Sequence, residues 1–223
     1  MQFEKMKQIH LPPPIGNIEY VYSDKQIIIV EKPANMLSVP GNTPEKQDCL
    51  IHRVQKHFAK ARIVHRLDFS TSGLMVVAQN AGSHRTLSIQ FQNRETEKGY
   101  IAKVYGHPAQ ASGEVSLPLR CDWERRPRQI VDSKQGKEAR TLWKVLDRYE
   151  ECCRVALTPI TGRTHQLRVH MQALGHPILG DDLYAHQNAF KMADRLTLHA
   201  TKLVITHPTE RQRLAFVSVV DPF

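Results

Sequence analysis

The sequence HRLDFSTSGL occupies residues 65–74 and runs directly into the apolar stretch Leu74–Ala78. Asp, Ser, Thr and Gly favour turns, whereas a short aliphatic run that follows a turn predicts a buried strand. The stretch therefore predicts a polar loop that brings Asp68 to the start of a strand, with Gly73 permitting a tight backbone. On local chemistry alone, Asp68 has the simpler role of capping that turn.

Apolar patterns on both sides of this loop predict many short strands. We expect strands at Glu19–Tyr22, Gln26–Val30, Leu74–Ala78, Tyr100–Tyr105, Thr141–Val145, Val155–Leu157, Leu203–Thr206 and Leu214–Val219.

Three helices are predicted from apolar residues at helical spacing. Asp48 is expected to cap the first and Asn80 the second, and the third is expected after Gly162, ending at Gly175. The residues expected on their buried faces are Leu50, Val54 and Phe58, then Leu87 and Phe91, then Leu167, His170, Met171 and Leu174.

Strands outnumber helices and most connections are short. This pattern predicts an α+β fold in which helices flank a mixed, mostly antiparallel β-sheet. Residues 1–18 are expected to form an irregular lead-in, because Pro12, Pro13 and Pro14 oppose regular structure. No linker interrupts residues 19–223, which are therefore expected to form one domain.

Composition excludes several classes of protein. No apolar stretch in the 223 residues approaches the length of a membrane span, and the N-terminus lacks the apolar segment of a secretory signal, so we expect a cytoplasmic protein. Four cysteines do not make a disulfide scaffold in a chain of this length. The formal net charge of +9 favours polyanionic partners, although many basic proteins bind no nucleic acid.

Motifs for common cofactors are missing from the sequence. We find no Rossmann fingerprint, P-loop, nucleophile elbow, zincin motif or Cys-x-x-Cys pair. The twelve histidines do not show ligand spacing, and His165 and His170 are expected on different faces of a helix. We therefore expect neither a cofactor nor a bound metal.

Three segments resemble, in order, the motifs of the RluA-type pseudouridine synthase family. HRLDFSTSGL is similar to the catalytic motif, KGYIA at 98–102 to a strand motif that carries a tyrosine, and TGRTHQLRVH at 161–170 to the third motif, followed by GHPILGD at 175–181. The resemblance extends from about Glu19 to Pro222. It implies a pseudouridine synthase catalytic domain that isomerises a specific uridine in RNA.

Two further segments resemble one group of members within this family. LSVPG at 37–41 and CDWERRPRQ at 121–129 are similar to short family members that act on both 23S ribosomal RNA and tRNA. Other members carry an N-terminal S4-like domain, which we do not expect in the 18 residues before the first predicted strand. The expected partner is therefore RNA, in 23S ribosomal RNA and/or tRNA loops, and a monomer is the simplest state.

The resemblance also implies the chemistry. Pseudouridine forms when the C1′–N1 bond breaks, the uracil turns and C5 joins the sugar, which requires no redox cofactor or ATP. Asp68 would be the catalytic carboxylate, because a carboxylate stabilises or traps a cationic sugar. Attack on C1′ and removal of the C2′ proton both remain open for Asp68.

Other motif residues acquire roles by the same resemblance. Arg163 would pair with Asp68 and keep it ionised, and Tyr100 would stack on the uracil or move its C5 proton. Leu167 would form an apolar wall beside the base, and Arg66 would fill the space that the extruded uridine leaves.

Residues outside these roles are assigned more simply. Arg126 and Arg128 lie near Trp123 in a basic loop that suits RNA backbone binding. His65 is expected to be structural and to hold the loop through a backbone hydrogen bond.

Three other classes of function compete with this interpretation. A non-catalytic RNA-binding protein on the same fold would not require Asp68, Tyr100 and Arg163 together. A hydrolytic nucleosidase usually pairs two carboxylates or holds a metal, and here Asp181 and Asp182 have no assigned role. A structural ribosomal protein would account for the charge but not for an isolated carboxylate among basic and aromatic residues.

Overall fold

The computed structural model describes residues 14–220 and 222–223, so most of the expected lead-in lies outside the described residues. The described residues form twelve strands. The strands are β1 (Glu19–Ser23), β2 (Ile27–Lys32), β3 (Arg62–Ile63), β4 (Ser72–Ala78), β5 (Glu97–Tyr105), β6 (Ser112–Ser116), β7 (Leu119–Cys121), β8 (Gln129–Val131), β9 (Arg140–Arg148), β10 (Cys152–Pro159), β11 (Leu198–Thr206) and β12 (Arg213–Val217).

Four α-helices and one short 3-10 helix at Pro44–Lys46 complete the described secondary structure. None of these helices has the length and apolarity needed to cross a membrane. The helices are α1 (Leu50–Gln55), α2 (Ala81–Gln92), α3 (Gln166–Ala173) and α4 (Gln187–Lys191).

Ten of the strands form one sheet. Its main order is β1-β2-β4-β11-β5-β10-β9-β6, with β3 beside β4 and β12 beside β11, while β7 and β8 form a separate hairpin. All pairs are antiparallel except β4 with β11, which is parallel. The predicted mixed, mostly antiparallel sheet with flanking helices is confirmed, and the described residues form a single domain.

The core is divided between the two faces of the sheet. In β2, Ile27 and Ile29 pack on the face that α2 covers, while Ile28 and Val30 pack with α1 on the other face. A further cluster joins β5 and β10 to α3. Tyr100 contacts both this cluster and the α1 cluster, so it lies where the two cores meet on one face of the sheet.

The centre of the sheet brings three chain segments together. Gly73 of β4 pairs with Ala200 of β11, and Ala200 pairs on its other side with Tyr100 of β5. Gly73 has φ 114°, and a Cβ there would lie within 2.5 Å of the Ala200 amide nitrogen. The missing side chain is thus what lets β11 approach the end of the Asp68 loop.

The N-cap residues of α1 and α2 can be compared with the predicted ones. Asn80 accepts a hydrogen bond from the Ser83 amide at 2.9 Å, as expected for the cap of α2. The predicted cap of α1 is wrong. Cys49 occupies that position without a side-chain hydrogen bond, and Asp48 instead forms an ion pair with Arg53 at 2.6 Å.

Replacing Gly73 with alanine should destabilise the fold by about 3 kcal/mol or more, because the new Cβ adds a backbone clash to an unfavourable φ. Gly175→Ala is the matched control, since Gly175 also has a positive φ (83°) but a Cβ added there would meet nothing within 4 Å. The control should cost only about 1 kcal/mol. Chemical denaturation measures both, and equal losses would contradict a special role for the Gly73–Ala200 approach.

Candidate active site

An open cleft of about 1320 Å³ lies on the face where the two cores meet. The loop from Ile63 to Thr71 forms one wall, the segment from Pro159 to Arg168 forms another, and Tyr100 lies between them. Asp68, Tyr100, Arg163, Leu167 and Arg66 all line this cleft. The structure therefore brings the residues predicted from the three motifs to a single site.

A buried lysine holds the Asp68 loop in place through hydrogen bonds. Lys32, the last residue of β2, is fully buried and donates to the carbonyl oxygens of Pro33 at 2.8 Å, Met36 at 2.8 Å and Phe69 at 3.2 Å. Three carbonyl acceptors match the three N–H donors of an ammonium group. Burial lowers the pKa of Lys32 to about 7, while the charge of Asp68 opposes that shift.

A second set of hydrogen bonds holds the backbone of Leu67, the residue before Asp68. The Ser38 hydroxyl donates to the Leu67 carbonyl oxygen at 2.9 Å and accepts from the Leu67 amide at 3.2 Å. The Asp68 carbonyl oxygen accepts from the Thr71 amide at 3.2 Å, which closes the turn. Asp68 thus has a fixed backbone and a side chain that is 26% exposed towards the cleft.

The cation beside Asp68 comes from α3. Arg168 is 3% exposed, and its Nη1 lies 4.0 Å from Asp68 Oδ2. Its Nε and Nη2 donate to Asp181 at 2.8 and 2.6 Å, and Nη2 also donates to Asp182 at 2.9 Å. Burial lowers the pKa of Arg168, but the hydrogen bonds and charge of Asp181 outweigh burial and raise it. Arg168 therefore carries a permanent positive charge at the cleft floor.

The expected pair between Arg163 and Asp68 does not form in this structure. Arg163 lies in the turn before α3, and its Nε donates to the Glu138 carbonyl oxygen at 2.9 Å. The Arg163 amide donates to Gln166 Oε1 at 3.0 Å, which holds the turn against the helix. Arg168 occupies the place expected for Arg163, because the helix turns its side chain towards Asp68.

His165 also faces Asp68. It precedes α3 with φ 53°, so it is the N-cap residue rather than part of the helix, and the expectation that it shares a helix with His170 is corrected. Its Nε2 lies 4.0 Å from Asp68 Oδ1, and its Nδ1 lies 2.7 Å from the Tyr184 hydroxyl. Burial lowers the pKa of His165, with Asp68 acting in the opposite direction.

The uncharged walls of the site are Tyr100 and Leu167. Leu167 is buried in the α3 cluster, which also contacts Tyr100. Burial, and then the charge of Asp68, raise the pKa of Tyr100, so the side chain is a neutral phenol at neutral pH. The pair offers an aromatic face and an apolar wall next to the carboxylate.

The two residues that precede Leu67 differ in their surroundings. His65 Nε2 accepts from the Val76 amide at 3.1 Å and its ring stacks on Phe91, which confirms its predicted structural role. Burial, followed by the charge of Lys98, lowers the pKa of His65 to about 3. Arg66, in contrast, is exposed at the cleft and makes no hydrogen bond or ion pair with the described residues.

The predicted basic loop forms the tip of the β7–β8 hairpin, which we call the arm (residues 119–131). Trp123 at the tip is 66% exposed and Arg126 lies over its ring at 4.8 Å. Arg128 lies over the Tyr184 ring at 5.7 Å, and the Gln129 amide donates to the Tyr184 hydroxyl at 2.8 Å. Pro127 lines the cleft, so the arm borders the site.

In residues 14–220 and 222–223, no group of three His, Cys, Asp or Glu side chains is arranged to hold a metal ion. The cysteines in this part of the chain are free.

The site combines a carboxylate, a buried guanidinium and a neutral phenol in an open cleft of a basic protein, which defines an enzyme that works through acid–base or nucleophilic chemistry. The family model described as RNA pseudouridylate synthase matches residues 26–173. This chain belongs to that family and is an RNA pseudouridine synthase, an isomerase.

Individual relatives agree with the family. The dual-specificity RNA pseudouridine synthase RluA of Yersinia pestis is 54% identical over 189 residues, which cover 84% of this chain and 92% of that protein. The protein of the same name from Escherichia coli strain K12 is 48% identical over 211 residues, covering 94% and 96%. The solved structure of human RNA Pseudouridylate Synthase Domain Containing 1 is 31% identical, with a TM-score of 0.78, over 93% of this chain and 84% of that one.

His65→Gln should flatten the loss of stability on acidification. A histidine with a folded pKa of about 3 takes up its proton in the unfolded state first, so stability falls as the pH drops below about 6.5. Between pH 7 and pH 5 this effect amounts to up to about 2 kcal/mol, and glutamine, which still offers an acceptor to Val76, removes it.

Urea unfolding of wild type and variant at the two pH values measures the difference. His107→Gln, at an exposed histidine, is the control and should leave the pH dependence unchanged. Identical pH slopes for wild type and His65→Gln would show that His65 is not held neutral.

Proposed function

We propose that Asp68 is the catalytic carboxylate and that the chain modifies uridines in both ribosomal RNA and tRNA. The observation that carries the proposal is the position of Asp68. Its backbone is fastened by Lys32 and Ser38, and its carboxylate faces the cleft with the buried Arg168 guanidinium 4.0 Å away. A non-catalytic RNA-binding protein has no need for a carboxylate held in this way.

The reaction begins at the glycosidic bond. Cleavage of C1′–N1 develops positive charge on the sugar, and the Asp68 carboxylate either attacks C1′ or removes the C2′ proton. The detached uracil turns and C5 bonds to C1′, while the bond from Asp68 to C1′ breaks on the first route or Asp68 returns the proton to C2′ on the second. C5 then loses its proton and N1 gains one, so the product is an isomer of the substrate. Both routes use the same ionised carboxylate, for which Arg168 supplies the counter-charge.

Tyr100 and Leu167 would hold the uracil during its rotation. An aromatic face against a base contributes roughly 1–3 kcal/mol and tolerates rotation, because stacking does not depend on one hydrogen-bond pattern. The raised pKa of Tyr100 supports stacking by a neutral phenol rather than action as a tyrosinate base in the free enzyme.

Arg66 would occupy the space left by the extruded uridine. Extrusion costs a few kcal/mol in a helix and less in a loop. Arg66 is exposed beside Asp68 in the loop and has no partner among the described residues, so its guanidinium is available to RNA. A planar cation that enters the stack would offset part of the extrusion cost.

Other cations would bind the RNA backbone around the cleft. Arg126 and Arg128 flank Pro127, the residue of the arm that lines the cleft. Lys98 and Arg163 also line the cleft, and Lys98, which is half-buried, makes no ion pair with the described residues. An unpaired cation at a cleft suits phosphate, and we propose this RNA-contacting role for Arg163 in place of pairing with Asp68.

Substrate range follows from the relatives. The Yersinia pestis and Escherichia coli proteins are both named as dual-specificity enzymes, and the identity covers most of each chain. We extend that dual range to this chain, with 23S ribosomal RNA and tRNA loops as targets. A monomer acting in the cytoplasm, where these RNAs are found, fits the proposal.

Asp68→Asn should fold and bind RNA but lose at least about 10³-fold in turnover, because the amide neither attacks the sugar nor removes its proton. The measurement is tritium release from RNA labelled at uracil C5, using total tRNA and 23S ribosomal RNA. Asp147→Asn is the control, since Asp147 is exposed on β9, outside the cleft.

Each outcome of that assay has a definite meaning. Release from both RNAs by wild type and by Asp147→Asn, but not by Asp68→Asn, supports the proposal. Normal turnover by Asp68→Asn would remove the catalytic assignment, and release from one RNA alone would remove the dual range. Free uracil as product would indicate a hydrolase.

Arg66→Gln should reduce the salt dependence of RNA binding as well as its strength. A guanidinium that enters the RNA neutralises about one phosphate, and each phosphate neutralised contributes about 0.7 to 0.9 to the slope of log K against log salt. Loss of the Arg66 charge should therefore lower the slope by about that amount. Fluorescence titration of a tRNA stem-loop at several salt concentrations measures the slope. Arg211→Gln, at an exposed arginine outside the cleft, should leave the slope unchanged, and equal slopes for all three proteins would exclude Arg66 from RNA contact.

A further inference from the structure

Tyr184 is a buried residue that contacts both the arm and His165, the histidine that faces Asp68. It is 5% exposed and lies between α3 and α4. Its hydroxyl accepts from the Gln129 amide of the arm at 2.8 Å and lies 2.7 Å from His165 Nδ1. Nothing in the motif-based assignment of the site gives Tyr184 a role.

The hydroxyl has one proton, and the direction of that proton bears on the tautomer of the neighbouring histidine. Since Gln129 donates to the oxygen, the proton is free to point at His165 Nδ1, the one acceptor that the described residues offer it. Nδ1 then has no hydrogen, and the neutral imidazole carries its hydrogen on Nε2. Nε2 is the atom that lies 4.0 Å from Asp68 Oδ1, so this tautomer presents a donor to the carboxylate.

The Tyr184 ring makes a second connection. Arg128 of the arm lies over the ring at 5.7 Å and Arg168, the cation beside Asp68, lies over it at 5.1 Å. The Tyr184 amide donates to Asp181 Oδ1, which also binds Arg168. Both groups that face Asp68, His165 and Arg168, are therefore in contact with Tyr184, as is the arm.

His165 has charged neighbours on every side. Asp68 faces it from the catalytic loop, Arg168 from α3, and Asp181 and Asp182 from the segment that carries Tyr184. Either tautomer of a neutral ring would suit some of these groups. The Tyr184 hydrogen bond is the contact that distinguishes the two ring nitrogens.

We propose that Tyr184 is a positioning residue that fixes the His165 tautomer and ties the arm to the catalytic carboxylate, so that RNA held by the arm sets the geometry at Asp68. This inference rests on the proposed role of Asp68. Tyr184 itself touches neither the uridine nor the sugar in this scheme.

Tyr184→Phe is the test variant, because it removes the hydroxyl and keeps the ring between the two arginines. We expect kcat for tritium release to fall about tenfold, as for the loss of one hydrogen bond, with KM changed less than twofold. Tyr20→Phe is the matched control. The Tyr20 hydroxyl is buried and has no hydrogen-bond partner in the described part of the chain, so its loss should leave kcat unchanged.

Two further measurements do not depend on turnover. In wild type, the nitrogen-15 spectrum of the His165 ring should show a protonated Nε2 and an unprotonated Nδ1, and Tyr184→Phe should lose this single form. The Gln129 amide should exchange its hydrogen slowly in wild type and faster in Tyr184→Phe, while Tyr20→Phe matches wild type.

A wild-type His165 with its hydrogen on Nδ1 would overturn the proposal even if Tyr184→Phe does not fold. So would unchanged kcat in a folded Tyr184→Phe, or a loss confined to KM. The Asp68→Asn variant distinguishes a failure of the role proposed for Tyr184 from a failure of the catalytic role proposed for Asp68. If that variant is inactive while Tyr184→Phe behaves as wild type, only the role of Tyr184 fails, whereas an active Asp68→Asn removes the catalytic assignment itself.

Discussion

The buried ion pair between Arg168 and Asp181 is the interaction on which the site depends. Both side chains are almost fully removed from solvent, which is costly unless the pair is well hydrogen-bonded. Asp181 meets this condition by accepting from Nε and Nη2 of Arg168, and its Oδ1 also accepts the amides of Leu183 and Tyr184. The fork geometry of a guanidinium then leaves Nη1 directed at Asp68. The position of the cation is thus set before any substrate arrives.

The sheet brings distant parts of the chain to one cleft. Its single parallel pair, β4 with β11, aligns Gly73 with Ala200, and β11 then aligns Ala200 with Tyr100. The loop that ends at Gly73 and the strand that carries Tyr100 therefore reach the same edge of the cleft through one shared neighbour. A residue with a side chain at position 73 would separate them.

Short sequence patterns predicted those features of the fold that interactions between neighbouring residues determine. The Asn80 cap, the apolar face of α3 and the main strands follow from short-range preferences. The choice between Arg163 and Arg168 was different, because both belong to one motif and the helix phase after His165 decides which one faces Asp68. An arginine between the two apolar residues Leu167 and Val169 was the available signal for a buried pair with a downstream aspartate. The short strand β6 has no such signal, since its pairing partner β9 begins more than twenty residues later in the sequence.

Two groups of cationic side chains at the site differ in burial, and the difference explains how one site serves both binding and chemistry. Lys32 and Arg168 are buried, and each is fully engaged by oxygen atoms of the protein, so neither is free to follow a moving phosphate. Arg66 and Arg126 are exposed at the cleft and arm and have no carboxylate partner among the described residues. The buried cations hold the loop and the carboxylate in place because a low dielectric makes their displacement expensive. The exposed cations bind RNA because they neutralise its phosphates and release the counterions condensed there. Tyr184 contacts a cation of the catalytic site and a cation of the arm, through Arg168 on one side and Arg128 on the other.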